Sequence, residues 1–314
     1  MSLFDKIILL SGGVGGARFL DGLSRALPSG ALKAIVNIGD DFEHLGLAIS
    51  PDLDTCLYTL AGLGDEARGW GLEGESFRAH ERLGALGEDT FFMLGDLDLA
   101  THLARTRRLS AGERLTEISL DFAQRLKVKT PLLPASDDRL RTVMRTKERG
   151  EESFQDWLVR HQARGTLLGV EYRGEAEPSA ETIRAIDEAS LILIAPSNPY
   201  VSILPILELG DLRERVQRKP CVAISPIIGG AAVKGPLASM IPALSDQAPS
   251  AEAIASIYGE LVDLLIVHPG DRIGSAYAAK MRECDILMRD RDDRLRLARE
   301  VLAIIHQDGE ALKR

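Results

Sequence analysis

The sequence predicts a doubly wound α/β protein: a mainly parallel, Rossmann-like sheet carrying a helical insertion and a smaller α/β elaboration. Two observations lead there. Short apolar runs at Lys6–Leu10, Ala34–Ile38, Leu191–Ala195 and Val222–Ser225, with Leu264–Val267 as a fifth, are each bounded by Gly, Pro, Ser or Asn. They are continuous, not alternating, as a sheet covered on both faces requires. Helical patterns lie between them, and that alternation points to parallel strands joined by crossover helices.

In chain order, the first strand runs into a glycine-rich loop and a helix over Gly16–Leu27, and the second strand leads to a helix over Pro51–Ala61. Helices over Ser76–Leu86, Leu97–Leu109 and Ala111–Leu126 then follow with no strand signal among them, so residues 64–126 read as a helical insertion. Residues 136–176 are more polar, with strand-like Thr142–Arg145 and Leu168–Tyr172 flanking a helix around Phe154–Arg160, and read as a second elaboration. The later strands and a helix over Asp293–His306 complete one expected domain spanning 1–314.

The chain has 314 residues, 45% hydrophobic and 27% charged, the composition of a globular protein able to bury a large core. Three widely spaced cysteines include no C-x-x-C pair, which argues against a disulfide framework or a cysteine zinc site and fits the cytoplasm. A net charge of −9 disfavours a nucleic-acid partner. Ile7–Leu10 is too short for a signal core, and no stretch approaches a membrane span, so neither export nor anchoring is expected.

Strand, glycines, helix is the order expected of a phosphate cradle, in which Gly12, Gly13, Val14, Gly15 and Gly16 offer backbone N–H groups at a helix N-terminus. The dinucleotide fingerprint fails because Arg18 stands where its last glycine belongs, and the Gly-Lys-Ser/Thr of a P-loop is absent. Four glycines in five residues exceed the needs of one turn, although close packing alone also uses glycine.

Four aspartate pairs fall at expected loop ends: Asp40-Asp41 after the second strand, Asp52 and Asp54 at a helix start, Asp96 and Asp98 at another, and Asp137-Asp138. Capping explains Asp96 and turn chemistry explains Asp137 when each is taken singly. Several pairs meeting at one mouth of the sheet would need a cation or protonation to relieve their repulsion, and oxygen-only ligands suit magnesium. His102, four residues after Asp98, makes either an oriented acid–base pair or the more frequent surface i,i+4 pair. Arg105 and Arg108 continue that helix, as a phosphate-facing or a solvated face. Ser197, Asn198 and Pro199 follow one strand and Ser225–Gly230 another, at ends where a nucleotide would be held or where a plain turn would sit.

Taken in order, SGGVGGARFL (11–20), NIGDD (37–41), SPDLDTCLYTL (50–60), GWG (69–71), LGDLDLATH (94–102), SDDR (136–139), APSNP (195–199) and SPIIGG (225–230) resemble the 2-phospho-L-lactate transferase family of coenzyme F-420 biosynthesis, and its bacterial branch in wording. The resemblance implies a magnesium-dependent transfer of a phospho-three-carbon-acid group from a guanosine diphosphate-type donor. The acceptor would be the ribityl hydroxyl of the deazaflavin Fo, and GMP would leave. It implies Asp54 at the ribityl end, as catalytic residue and metal ligand, with Asp40 as a second ligand. Met93 and Asp96 would stand on the acceptor side, and Ser197, Asn198 and Pro199 against guanosine. A homodimer is also implied. Leu97 departs from the basic residue many members carry within Gly-Asp-x-Asp, and Met93 from the lysine of archaeal members. The alternative reading is a non-catalytic nucleotide-sugar-binding regulator of the same superfamily. It shares the glycine loop and the Asn-Pro turn and has no need of SPDLD together with GDLDLATH.

Overall fold

The computed structural model describes residues 4–233, 235–271, 277–309 and 312. Strand β1 (Ile7–Ser11) is wholly buried and leads through Gly12 into α1 (Gly13–Ala26). Then come β2 (Leu32–Val36), the hairpin β3 (Phe42–His44) and β4 (Leu47–Ile49), and α2 (Pro51–Ala61). Pro51 stands in the first turn of α2, and Gly62 closes the helix at φ 68°, a conformation that favours glycine. The helices α3 (Arg78–Ala85), α4 (Asp96–Ser110) and α5 (Leu115–Arg125) follow without an intervening strand. After β5 (Leu132–Pro134) the chain builds an antiparallel three-stranded sheet from β6 (Arg141–Thr146), β7 (Gly150–Ser153) and β8 (Leu167–Arg173).

The second half runs α6 (Ala180–Glu188), β9 (Leu191–Ile194), a π-helical turn Pro199–Ile203, α7 (Leu204–Leu207) and α8 (Leu212–Gln217). It continues with β10 (Cys221–Ile224), the small hairpin β11 (Ile227–Ile228) and β12 (Ala231–Ala232), α9 (Leu237–Leu244) and α10 (Ala251–Tyr258). It ends with β13 (Leu264–Val267), β14 (Met281–Glu283) and α11 (Arg291–Gln307).

Seven strands form the main sheet in the order β14-β13-β10-β9-β1-β2-β5, and every pairing in it is parallel. The chain winds outward from β1 through β2 to β5, then returns beside β1 at β9 and winds the other way. The order reverses between β1 and β9, so the crevice beyond their carboxyl ends is where an open α/β sheet places a ligand. Apolar side chains of the central strands and of α1, α2 and α11 make one continuous core.

The five apolar runs are all strands; Leu264–Val267 keeps its expected ends and the other four shift by one or two residues. Asn37 leaves β2 because its side chain accepts the N–H of Gly39 at 2.8 Å and turns the chain. Helix α1 begins at Gly13, three residues before the expected Gly16, because the carboxylate of Asp52 accepts the Gly13 N–H at 2.7 Å. The residues around Asp156–Arg160 form a π-helical turn. The edge strands β5 and β14 carry three residues each, too few for an apolar run to announce them.

Candidate active site

Two loops meet at the reversal point. Ser197 donates from Oγ to the carbonyl of Gly12 at 2.7 Å, so the glycine turn and the Pro196–Pro199 segment are one unit. Several of the glycines serve that closeness. A Cβ on Gly15 would lie 2.6 Å from the carbonyl oxygen of Pro196, and one on Gly16 2.5 Å from Ser11 Oγ. On Gly12 it would lie 2.5 Å from Asp52 Oδ2, while Gly13 adopts φ +65°. Among the first three amides of α1, which have no carbonyl in their own helix to bond, Gly13 is taken by Asp52; Val14 and Gly15 follow at the same positive helix end. Asn198 caps the π-helical turn by accepting the Tyr200 N–H at 3.0 Å, and its amide nitrogen lies 3.3 Å from the sulfur of Met240. Pro199 opens that turn.

Five acidic side chains converge on the same end of the sheet from three elements. Asp40 and Asp41 follow β2, Asp52 and Asp54 lie in the first turn of α2, and Asp98 lies in α4; all five are buried. They divide into two groups. Asp40 stands against Asp52, and Asn37 donates to Asp52 Oδ2 at 2.9 Å. Burial, then the charge of Asp52, pushes the carboxyl of Asp40 well up. Burial likewise raises Asp52 to about 6, against the hydrogen bonds it accepts from Asn37 and Gly13, and raises Asp41 to about 7, against the Ser50 hydroxyl and the nearby Arg105 and Arg141. One oxygen each of Asp40 and Asp41 is buried with no hydrogen-bond partner.

The second group surrounds Asp54. Arg105 Nη1 donates to Asp54 Oδ2 at 3.0 Å and Nη2 contacts Oδ1, a two-pronged grip between buried groups. Burial would lower the pKa of Arg105, but Asp54 outweighs it and the net shift is upward. His102 places Nδ1 3.2 Å from Arg105 Nη1 and Nε2 3.3 Å from Asp98 Oδ1. Tyr58 donates its hydroxyl to Asp98 Oδ1 at 2.6 Å. Desolvation would raise Asp98, yet His102 and Tyr58 bring its pKa below the ordinary value. Asp54, Asp98 and His102 each offer a ligand atom within 4.8 Å of the others, a possible metal-binding triad.

The surface-pair reading of His102 therefore fails, since the residue is 1% exposed. Asp96 is spent locally: it accepts from the Ser76 hydroxyl and, at 3.1 Å, from the Ala79 N–H, tying α3 to the start of α4. Met93 is 47% exposed and lies outside the cleft lined by Val14, Arg18, Thr55, Tyr58, Trp70 and Arg294 beside the glycine turn. Asp137 accepts from the Thr116 N–H and Asp138 from the Glu177 N–H, on the flank where α5 meets α6. Arg105, expected on a phosphate-facing or solvated face, is instead buried against Asp54, on the helical stripe of residues 98, 102 and 105. Asn37, which stood in the sequence only as part of NIGDD, gave no signal beyond the turn it makes.

The sequence profile of the family described as 2-phospho-L-lactate transferase CofD matches residues 7–307. This chain belongs to that family. The transferase is 38% identical over 308 residues to the 2-phospho-L-lactate transferase of Methanopyrus kandleri, covering 96% of this chain and 98% of that one. It is 37% identical over 320 residues to the phosphoenolpyruvate transferase of Streptomyces coelicolor, covering 98% and 100%. Among solved structures, a Bacillus halodurans member of the UPF0052 family superposes with a TM-score of 0.63 at 17% identity, covering 96% of this chain and 99% of that one, a likeness of fold. No helix among the described residues is long and apolar enough to cross a membrane.

Proposed function

We propose that this transferase moves a phospho-three-carbon-acid group, 2-phospho-L-lactate or phosphoenolpyruvate, from its guanosine diphosphate-type donor to the terminal ribityl hydroxyl of the deazaflavin Fo. The hydroxyl oxygen bonds to the phosphorus that carries the acid, and its proton leaves by way of Asp54 to solvent. The bond from that phosphorus to the bridging oxygen breaks, and GMP departs with the bridging oxygen and its electron pair. The observation that carries this reading is the meeting, at one reversal point, of a helix N-terminus with a buried acidic cluster. Relatives sharing over a third of the sequence, a 2-phospho-L-lactate transferase and a phosphoenolpyruvate transferase, support the identity of the transferred group.

The Val14 and Gly15 amides hold the donor's phosphates at the positive end of α1. Ser197 keeps the glycine turn in place for them, and Asn198 and Pro199 shape the neighbouring wall, where guanosine sits. Asp54 is the catalytic residue. With its orientation fixed by Arg105, each of its oxygens keeps a second lone pair with which to accept the acceptor hydroxyl's hydrogen bond. Met93, half exposed, remains the acceptor-side candidate, whereas Asp96 is engaged in holding α3 to α4 and serves that side only indirectly.

Magnesium fits this residue set. The unpartnered buried oxygens of Asp40, beside Asp52, and of Asp41, on the side of Asp54, are hard donors whose raised pKa values a cation would relieve. The Asp54 corner suits it less, because Arg105 already neutralises that carboxylate and His102 adds a nitrogen donor. Asp40 would hold the ion with Asp41, and Asp54 would complete the set only from its free lone pairs. When bound, the ion supplies neutralisation of the phosphate charge that builds up on the leaving group.

Incubation of the purified protein with Fo, magnesium and lactyl, enolpyruvyl or glyceryl donors decides the matter. Mass spectrometry should find the phosphodiester of Fo with one of these acids, together with one GMP per product. Absence of product from all three donors would overturn the proposal. The cytoplasmic homodimer belongs to the same reading, and sedimentation of the purified chain tests its oligomeric part.

A further inference from the structure

We infer that His102 is a positioning residue for transfer, holding Arg105 against Asp54 from behind. The inference rests on the transfer reading. Helix α4 supplies the first observation: its buried residues are Asp98, His102 and Arg105, while Leu97 and Leu103 are 51% and 57% exposed. A helix built only to pack would bury its leucines and expose its charges. This one is turned the other way, which is costly unless the buried polar groups are mutually satisfied.

The second observation is how they are arranged. The Tyr58 hydroxyl donates to Asp98 Oδ1, and His102 Nε2, which forms no hydrogen bond, lies at an ion-pair distance of 3.3 Å from that same oxygen. A proton on Nε2 therefore faces a carboxylate, and the lone pair of Nδ1 faces Arg105 Nη1 at 3.2 Å. Arg105 then spends Nη1 and Nη2 on the two oxygens of Asp54, with Nη1 also 3.3 Å from the Ala48 carbonyl. Donors and acceptors alternate from Tyr58 to Asp54 without a clash of like groups. The Thr106 hydroxyl donates to the His102 carbonyl at 2.7 Å and accepts the Ala48 N–H at 2.8 Å, so the stripe is pinned to β4 as well. Asp54 is thus aimed by a buried chain that never reaches the substrate, in the manner of outer partners that orient a reacting group.

Asp54, Asp98 and His102 admit a different reading, as metal ligands. The guanidinium stands against that, because it occupies both oxygens of Asp54 and lies beside His102 Nδ1, where a divalent cation would meet a second positive charge.

The test compares wild type with His102→Leu, His102→Asn, Asp98→Asn and the double variant His102→Leu/Asp98→Asn, using Fo and a guanylylated donor at saturating magnesium. His102→Leu should lower kcat by about 100-fold with both KM values within about threefold of wild type. His102→Asn, which restores an acceptor in place of Nδ1, should regain about tenfold of that loss. The double variant should be no worse than His102→Leu, since both changes act through Arg105. Crystal structures of both His102 variants add a readout that needs no turnover: Arg105 should leave Asp54 in the leucine variant and stay in the asparagine one. If His102→Leu does not fold, the asparagine and Asp98→Asn variants carry the comparison. Wild-type kcat in His102→Leu, equal losses in Leu and Asn, recovery at higher metal concentration, or an unmoved Arg105 each overturns the assignment. An inert wild type defeats the transfer reading instead and leaves the structural comparison to decide this one.

Discussion

Arg105 grips both carboxylate oxygens of Asp54 across 51 residues of sequence, at the start of α2 and in the seventh position after Asp98 on α4. Neither group has water to fall back on, so each is costly without the other. Asp54→Asn should keep the fold and abolish transfer, but it also leaves a buried guanidinium half-paired. Breaking such a pair costs roughly 3–5 kcal/mol. Adding Arg105→Met should restore most of that stability while activity stays lost. Urea unfolding of the single and double variants checks it, and a double variant as unstable as the single one would contradict the pairing.

A second expectation concerns pH and metal. Burial raises the carboxyls of Asp41 and Asp52 to about 7 and about 6 from 3.8 in the unfolded chain. Between these limits the native state binds more protons than the unfolded state, so the metal-free protein should lose stability as pH rises from 5 to 8. That slope is opposite to the acid loss expected of ion-paired carboxylates such as Asp98. A cation bound only by the native state adds stability by mass action. Magnesium should therefore raise the thermal midpoint more at pH 8 than at pH 5, and EDTA should reverse it. A flat profile, or a larger metal effect at pH 5, removes these carboxylates from the metal site.

The sheet was legible because its central strands are buried on both faces, so their residues are apolar without interruption. The glycine turn was legible because few sequences place four glycines behind such a strand. The edge strands β5 and β14 were not, since three residues carry no period. Within the site, the sequence marked which carboxylates lie at loop ends but not how they pair. Asp40 stands with Asp52, and Asp54 with Arg105 and His102, because α4 folds back onto β4 and α2, which is a tertiary fact. Ser197 and Asn198 show the same limit: hydroxyl and amide donors were visible, whereas their use in tying the turn and capping a helix depends on neighbours from other strands.

Gly15→Ala tests the junction of the two loops. The added methyl would sit 2.6 Å from the Pro196 carbonyl oxygen, a backbone atom with no rotamer by which to yield. Helix α1 must move away from the Ser197 turn, at a cost of about 1–3 kcal/mol. Because the proposed donor site spans that junction, the donor KM should rise about tenfold, which is 1.4 kcal/mol, while the KM for Fo stays unchanged. Equal changes in both constants would mean that the junction serves the whole fold and not the donor.

Asn37→Asp is the most demanding case because it changes one atom's chemistry and no volume. The Asn37 amide nitrogen donates to Asp52 Oδ2 at 2.9 Å and to the Val201 carbonyl at 3.0 Å, while its oxygen accepts the Gly39 N–H. A carboxylate there keeps the last bond, loses both donations, and turns an acceptor toward two acceptors. Each buried group left unpaired costs about 1–3 kcal/mol, and the new charge adds repulsion beside Asp40 and Asp52. At pH 5 a protonated carboxyl would restore one donor, so the variant should unfold at lower urea than wild type by a margin that is small at pH 5 and large at pH 8. A margin independent of pH would show that lost packing, not lost donation, sets the penalty.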